Sequence, residues 1–224
     1  ENMNVELAKV RTALQLTEDS GLYAMHYRLC MHAVYASLTV NDIDGAQAWA
    51  RQVENAIQRS GRVDPSAFHH MHSLLHLHAG DSIAAKPHAE RAVEHAVTNG
   101  NVIHEALGRV CLGHILLTLG EIDAGEIQTT RALDIATRAQ LRPLVMLCEM
   151  NRALIALERG NLPGAVDALR HALALSVQMG GIGHPFFVPL TLTTIPSVPH
   201  AFAPARTPLI LRSYEKGPDW KLPA

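Results

Sequence analysis

The 224 residues carry 19 basic and 21 acidic side chains, a formal charge of −2, and 48% of them are hydrophobic although only 4% are aromatic. That balance argues against a surface made for nucleic-acid phosphates, and the sequence holds no apolar run of about 18 residues such as a membrane-crossing helix needs. A core must therefore be assembled from Ala, Leu, Val, Ile and Met.

Cys30, Cys111 and Cys148 are far apart and form no CxxC pair, which points away from a disulfide framework or a zinc knuckle and towards a reduced, cytoplasmic setting. The opening residues Glu1-Asn2-Met3 lack the basic-then-apolar pattern of a signal peptide. Because the first helical stripe lacks an upstream partner, the sequence reads as a segment of a longer protein.

Residues 5 to 17 place Val5, Leu7, Ala8, Val10, Ala13, Leu14 and Leu16 at helical spacing. Matching Ala13 to Ala132 and Leu22 to Leu141 makes this helix the second half of an incomplete repeat. Four helix pairs are then expected, 21 to 39 with 43 to 59, 66 to 79 with 82 to 98, 102 to 119 with 122 to 139, and 143 to 159 with 162 to 179. Their punctuation recurs at Gly80-Asp81-Ser82, Gly120-Glu121-Ile122 and Gly160-Asn161-Leu162, in steps of 40 residues, with Asn41-Asp42-Ile43 one step of 39 earlier. A period of this size means a solenoid. Within each mark a glycine can close one helix and an acidic or amide side chain can cap the next. Pro65, Pro143 and Pro163 fall near helix starts, where a missing N–H matters least. Pro87 falls inside a predicted helix and predicts a late start or a kink there.

Beyond Gly180-Gly181 the pattern stops. Residues 182 to 224 are rich in proline, and 188 to 195 read as an extended or edge segment. The expected organisation is a repeat array over 1 to 181 and an irregular arm over 182 to 224. Residues 184 to 205 are expected to pack on the array, across its open end, or on a second chain in a homodimer, with Phe186, Phe187 and Phe202 as anchors.

At Gly160-x-Leu162-x-x-Ala165-x-x-x-Leu169-x-x-Ala172-Leu173 the sequence resembles the second half of a tetratricopeptide repeat, with weaker partners at Gly120, Gly125, Ala132 and Leu133 and at Gly80, Ala85, Ala89, Ala92 and Val93. The small residue that the family places seven positions ahead of each turn is matched by Ser73, Gly113 and Ala153, while Val34 departs from it. The 40-residue period is longer than the common form and is similar to the extended repeats in the sensor region of LuxR-type (MalT-like) bacterial regulators. Neither the phosphate loop nor the basic recognition helix that such regulators also carry is present here. The resemblance implies an all-α, right-handed superhelix of antiparallel hairpins whose first helices line a concave face. Carried over by position, that face is Met31, Tyr35, Leu38, His70, Leu74, Leu77, Val110, His114, Leu117, Met150, Leu154 and Leu157. Either these form an apolar groove with a few histidines, or some are plain inter-helix core.

His69, His72 and His76 share one helix face at i, i+3 and i+7, with His70 and His78 beside them, a spacing that can ligate zinc, nickel or copper. The alternative is a set of surface or packed imidazoles, since no cysteine or carboxylate completes the set nearby. No GxSxG elbow or phosphate loop is present, and Gly180-Gly181-Ile182-Gly183 suits a helix stop better than a nucleotide cradle. The expectation is a protein without catalysis or cofactor: a scaffold for a protein or peptide partner, serving as the sensor or oligomerisation segment of a bacterial regulator. Two alternatives stand beside it, a receptor for a small effector in the groove and a metal-binding module. Direct contact with nucleic acid or a membrane is not expected.

Overall fold

The computed structural model describes residues 3–39, 42–60 and 64–179, and among these it contains nine helices and no strand. They are α1 (Met3–Asp19), α2 (Tyr23–Thr39), α3 (Ile43–Ser60), α4 (Pro65–His78), α5 (Ser82–Thr98), α6 (Val102–Thr118), α7 (Ile122–Arg138), α8 (Arg142–Glu158) and α9 (Leu162–Gln178). The boundaries follow the 40-residue punctuation to within one or two residues. The arm from 182 onward, with Phe186, Phe187 and Phe202, lies outside the described residues.

The turns inside the hairpins repeat one hydrogen-bond scheme. Gly80 N–H donates to the Leu77 carbonyl at 3.0 Å and Asp81 N–H to the His76 carbonyl at 2.9 Å, and the same pair of bonds recurs at Gly120-Glu121 and Gly160-Asn161. The scheme needs a left-handed residue, and Gly80 and Gly120 both sit at φ +79°. Two of the following helices start on side-chain caps, Asp81 accepting from Ala84 N–H at 2.9 Å and Asn161 from Gly164 N–H at 3.0 Å, while Glu121 makes no such bond at the start of α7. Pro87 causes no late start. α5 begins at Ser82 and runs through it. The lost bond would have gone to the carbonyl of Ile83, whose residue is 78% exposed, so water can take its place.

Hairpins form as α2 with α3, α4 with α5, α6 with α7, and α8 with α9, while α1 packs on α2 as the half repeat. α2, α4, α6 and α8 also touch each other in series, which makes them one layer, with α3, α5, α7 and α9 as the second. α6 covers α5 and α8 covers α7, whereas the seam between α3 and α4 is sparser. The core between the layers is small and aliphatic. Ala85, Ala89, Ala132, Ala136 and Ala165 are at most 1% exposed, and Met71, Val110 and Ile115 pack against them with similar burial.

The α6/α7 hairpin shows why small residues recur ahead of each turn. A Cβ on Gly113 would lie 2.7 Å from Thr129 Oγ1 and 3.2 Å from the Gly125 carbonyl, and one on Gly125 would lie 2.8 Å from Leu117 Cδ2. Ser73 and Ala153 stand at the matching places in α4 and α8 with 0% and 2% exposure, and the larger Val34 is also fully buried. Polar straps join successive hairpins at the surface. Lys86 reaches Glu121 at 2.8 Å, Arg159 reaches Asp123 at 3.0 Å, and Arg59 reaches Glu18 at 3.2 Å and the Tyr23 hydroxyl at 2.9 Å.

Candidate functional site

The side-by-side layer of α2, α4, α6 and α8 carries the twelve positions expected to line a groove. Met31, Leu38, His70, Leu74, Leu77, Val110, His114 and Leu117 are buried, and Tyr35, Met150, Leu154 and Leu157 are half-buried. None is an exposed wall. Because the helices of this layer touch one another, the eight buried side chains belong to the packing, and Tyr35 and Met150 pack against its edge, while Leu154 and Leu157 stay partly exposed.

One polar network runs through that packing. His114 Nδ1 lies 3.1 Å from Asn151 Oδ1, while Asn151 Nδ2 donates to the Val110 carbonyl at 3.1 Å and to Thr129 Oγ1 at 3.4 Å. The amide orientation makes Asn151 Oδ1 an acceptor, so His114 donates from Nδ1 and its Nε2 carries a lone pair. That Nε2 is buried and has no hydrogen-bond partner. Burial pushes the His114 imidazole down to about 4, against a smaller upward pull from Asn151. Burial likewise lowers His70 to about 3. Both are neutral core histidines at neutral pH, joining α6 to α7 and α8 and filling α4.

A different set of imidazoles is accessible. His69, His72 and His76 of α4 face His88 and His95 of α5 across the hairpin. His88 is the hub. Its ring centroid lies 5.2 Å from that of His72 and 5.5 Å from those of His69 and His76, and the His69 and His88 Nδ1 atoms are 3.2 Å apart. His95 stacks on His69 with centroids 5.5 Å apart and planes 3° from parallel, while Phe68 meets His72 edge-on at 4.5 Å. Glu54 of α3 places Oε1 3.4 Å from His72 Nε2, without the alignment of a hydrogen bond. All five histidines are half-buried.

The 40-residue register shows how unusual this filling is. One repeat later, His72, His76 and His95 are replaced by Leu112, Leu116 and Ile135, which are core residues. The His69 and His88 pair is replaced by Arg109 and Gln128, whose Nη1 and Oε1 atoms are 2.8 Å apart. The α4/α5 hairpin thus sets imidazoles at three places where its neighbour sets aliphatic side chains and at two where it sets a polar pair. Burial lowers His72 to about 4, helped by the charges that His88, His76 and His69 would bear. His69 and His88 are lowered first by burial and then by neighbouring cations, including Arg91. The sequence pattern found the α4 members and missed His88, His95 and Glu54. The register held the missing signal, because it sets His88 opposite His69 just as Gln128 faces Arg109.

An open cavity of about 550 Å³ lies among α7, α8 and α9, with Leu133, Ala136 and Val145 apolar and Arg142, Glu149 and His171 polar in its lining. Glu149 is only 3% exposed. It accepts from Arg152 Nη1 at 2.9 Å and lies 3.3 Å from His171 Nδ1.

α9 presents an exposed apolar stripe. Leu162, Val166, Leu169, Leu173 and Val177 follow one helix face and are 62, 37, 47, 39 and 64% exposed. At the register of Leu169 stand Ala89, 0% exposed, and Thr129, 1% exposed, on faces that α6 and α8 cover. The cysteines are buried and unpaired in disulfides, and no helix among the described residues is long and apolar enough to cross a membrane. No protein-family model and no characterised protein matches this chain.

Proposed function

We propose that the chain is a non-catalytic interaction scaffold of the tetratricopeptide kind, whose open end receives an amphipathic helix from a protein partner. The observation that carries this reading is the apolar face of α9, which no later helix among the described residues covers. In the two preceding hairpins the positions equivalent to Leu169 and Leu173 are buried or half-buried and lie on helices that the first helix of the next repeat packs against, so the shape and spacing that fit α9 are those of a helix with apolar residues at i, i+3, i+4 and i+7. Apolar stripes of this length on a soluble protein mark interaction sites. The long 40-residue period supports the finer reading of a sensor or oligomerisation segment in a bacterial regulator.

Site-specific photo-cross-linking tests it. A photoreactive residue replaces Arg170, whose side chain is 76% exposed beside the stripe. Cross-links to a helical segment of another protein are expected, and they should vanish in the Leu169→Asp/Leu173→Asp double variant. No cross-link, or one that the double variant leaves unchanged, would overturn the reading.

A further inference from the structure

His72, His76 and His95 between α4 and α5 occupy positions that the next hairpin fills with the aliphatic Leu112, Leu116 and Ile135, whereas His69 and His88 stand where it sets the polar pair Arg109 and Gln128. Replacing aliphatic side chains by imidazoles in a half-buried seam loses apolar burial and leaves polar nitrogens to be satisfied. Here they are satisfied poorly, for His72 Nε2 is buried without a hydrogen-bond partner. The His69 and His88 Nδ1 atoms are 3.2 Å apart. Two imidazole nitrogens bound to one tetrahedral zinc ion, each at about 2.0 to 2.1 Å, are separated by about 3.3 to 3.4 Å. The pair is hydrogen-bonded to itself while no ion is bound, at nearly the nitrogen separation of a tetrahedral coordination edge.

We propose that His69, His88 and His72 form a binding site for one divalent transition ion of the zinc, cobalt, nickel and copper class, with the Glu54 carboxylate balancing its charge. As the rings stand, no three donors among the described residues converge on one point. His72 stacks on His88 at 5.2 Å instead. A third nitrogen from His72, whose side chain is 18% exposed, requires its ring to rotate as the ion binds. The imidazole-rich donor set selects borderline ions over calcium and magnesium, which prefer oxygen. The neutral imidazoles of this seam need not shed a proton to bind at neutral pH, since burial holds His69, His72 and His88 below the ordinary histidine range. A bound ion ties α4 to α5 and, through Glu54, reaches α3 across the sparse seam. The site therefore goes beyond the scaffold reading and stands independently of the α9 face.

The test uses the untagged, metal-stripped full chain. Zinc chloride added in a calorimeter is expected to titrate to one ion per chain, and cobalt(II) to develop the intense visible bands of a tetrahedral complex. His88→Ala should weaken zinc binding by at least about tenfold, while His171→Ala, which alters an exposed histidine on α9, should leave it unchanged. Imidazole nitrogen NMR of the unmodified chain gives a second readout that needs no variant, with the His69, His72 and His88 signals expected to move as zinc is added. A flat calorimetric trace would overturn the proposal, as would binding that survives His88→Ala or shifts confined to other histidines.

Discussion

Gln140 stands where the repeat elsewhere uses glycine. It takes φ +56° in the turn between α7 and α8, and Gly100, 40 residues earlier, takes φ +64° in the turn between α5 and α6. A left-handed conformation costs a residue with a Cβ about 1 to 2 kcal/mol, whereas glycine gives back about 0.5 to 1 kcal/mol through the greater freedom of its unfolded chain. The first effect is larger. Gln140→Gly is accordingly expected to stabilise the fold by about 0.5 to 1 kcal/mol, read as a higher urea midpoint with an unchanged slope. A lower midpoint would show that the Gln140 side chain, which lines the cavity beside α8, contributes more than its backbone loses. At this scale the turns at Gly80, Gly120 and Gly160 were legible because each glycine is followed by Asp, Glu or Asn. The strained Gln140 was not, since only its register, and nothing in its residue type, announces a left-handed turn.

Helix pairing depends on a few small residues. Gly113 and Gly125 let α6 and α7 approach until backbone and side chain touch, so a methyl group at Gly113 must displace Thr129, which is also near Asn151 at 3.4 Å. Gly113→Ala is expected to destabilise the chain by about 1 to 3 kcal/mol, whereas helix propensity alone would predict a gain of about 1 kcal/mol. The sign of the change in a urea or thermal denaturation curve decides which effect wins. Helix existence and register could be read from the spacing of glycines and alanines, and α5 differs only in running straight through Pro87. Whether a given inner residue faces a groove or a neighbour could not be read, because His70, Leu74 and Leu77 have the same helical phase in either case. Only the direct packing of α4 on α2 and α6 decides it.

For the whole molecule, acid should be more damaging than the near-neutral net charge suggests. His114 is held at about 4 by burial, and in the unfolded chain it returns to about 6.5. The unfolded state therefore binds more protons between those values, and stability falls as pH drops from about 6.5 towards 4. This one group contributes roughly 3 kcal/mol over that window. His114→Gln, which keeps a donor for Asn151 but does not titrate, is expected to reduce the slope of that part of the stability-against-pH curve by one histidine's share, since the buried His70 and His72 act over the same window. A slope equal to that of the unmodified chain would show that His114 is not the group responsible. The accessible histidine cluster was half legible: the i, i+3, i+7 spacing reveals one helix's share, while the partners on α5 become visible only when two copies of the repeat are laid side by side.

Every substantial contact between helices joins elements no more than two apart along the chain, so the array behaves mechanically as springs in series. Under tension the same force passes through each seam, and most of the extension collects where stiffness is least. That place is the boundary between the α2/α3 and α4/α5 hairpins, where α4 meets α2 and α3 only sparsely and Glu54 lies near His72. Pulled from its ends, the molecule should bend and lengthen there first, and whatever tightens that single boundary sets the compliance of the whole.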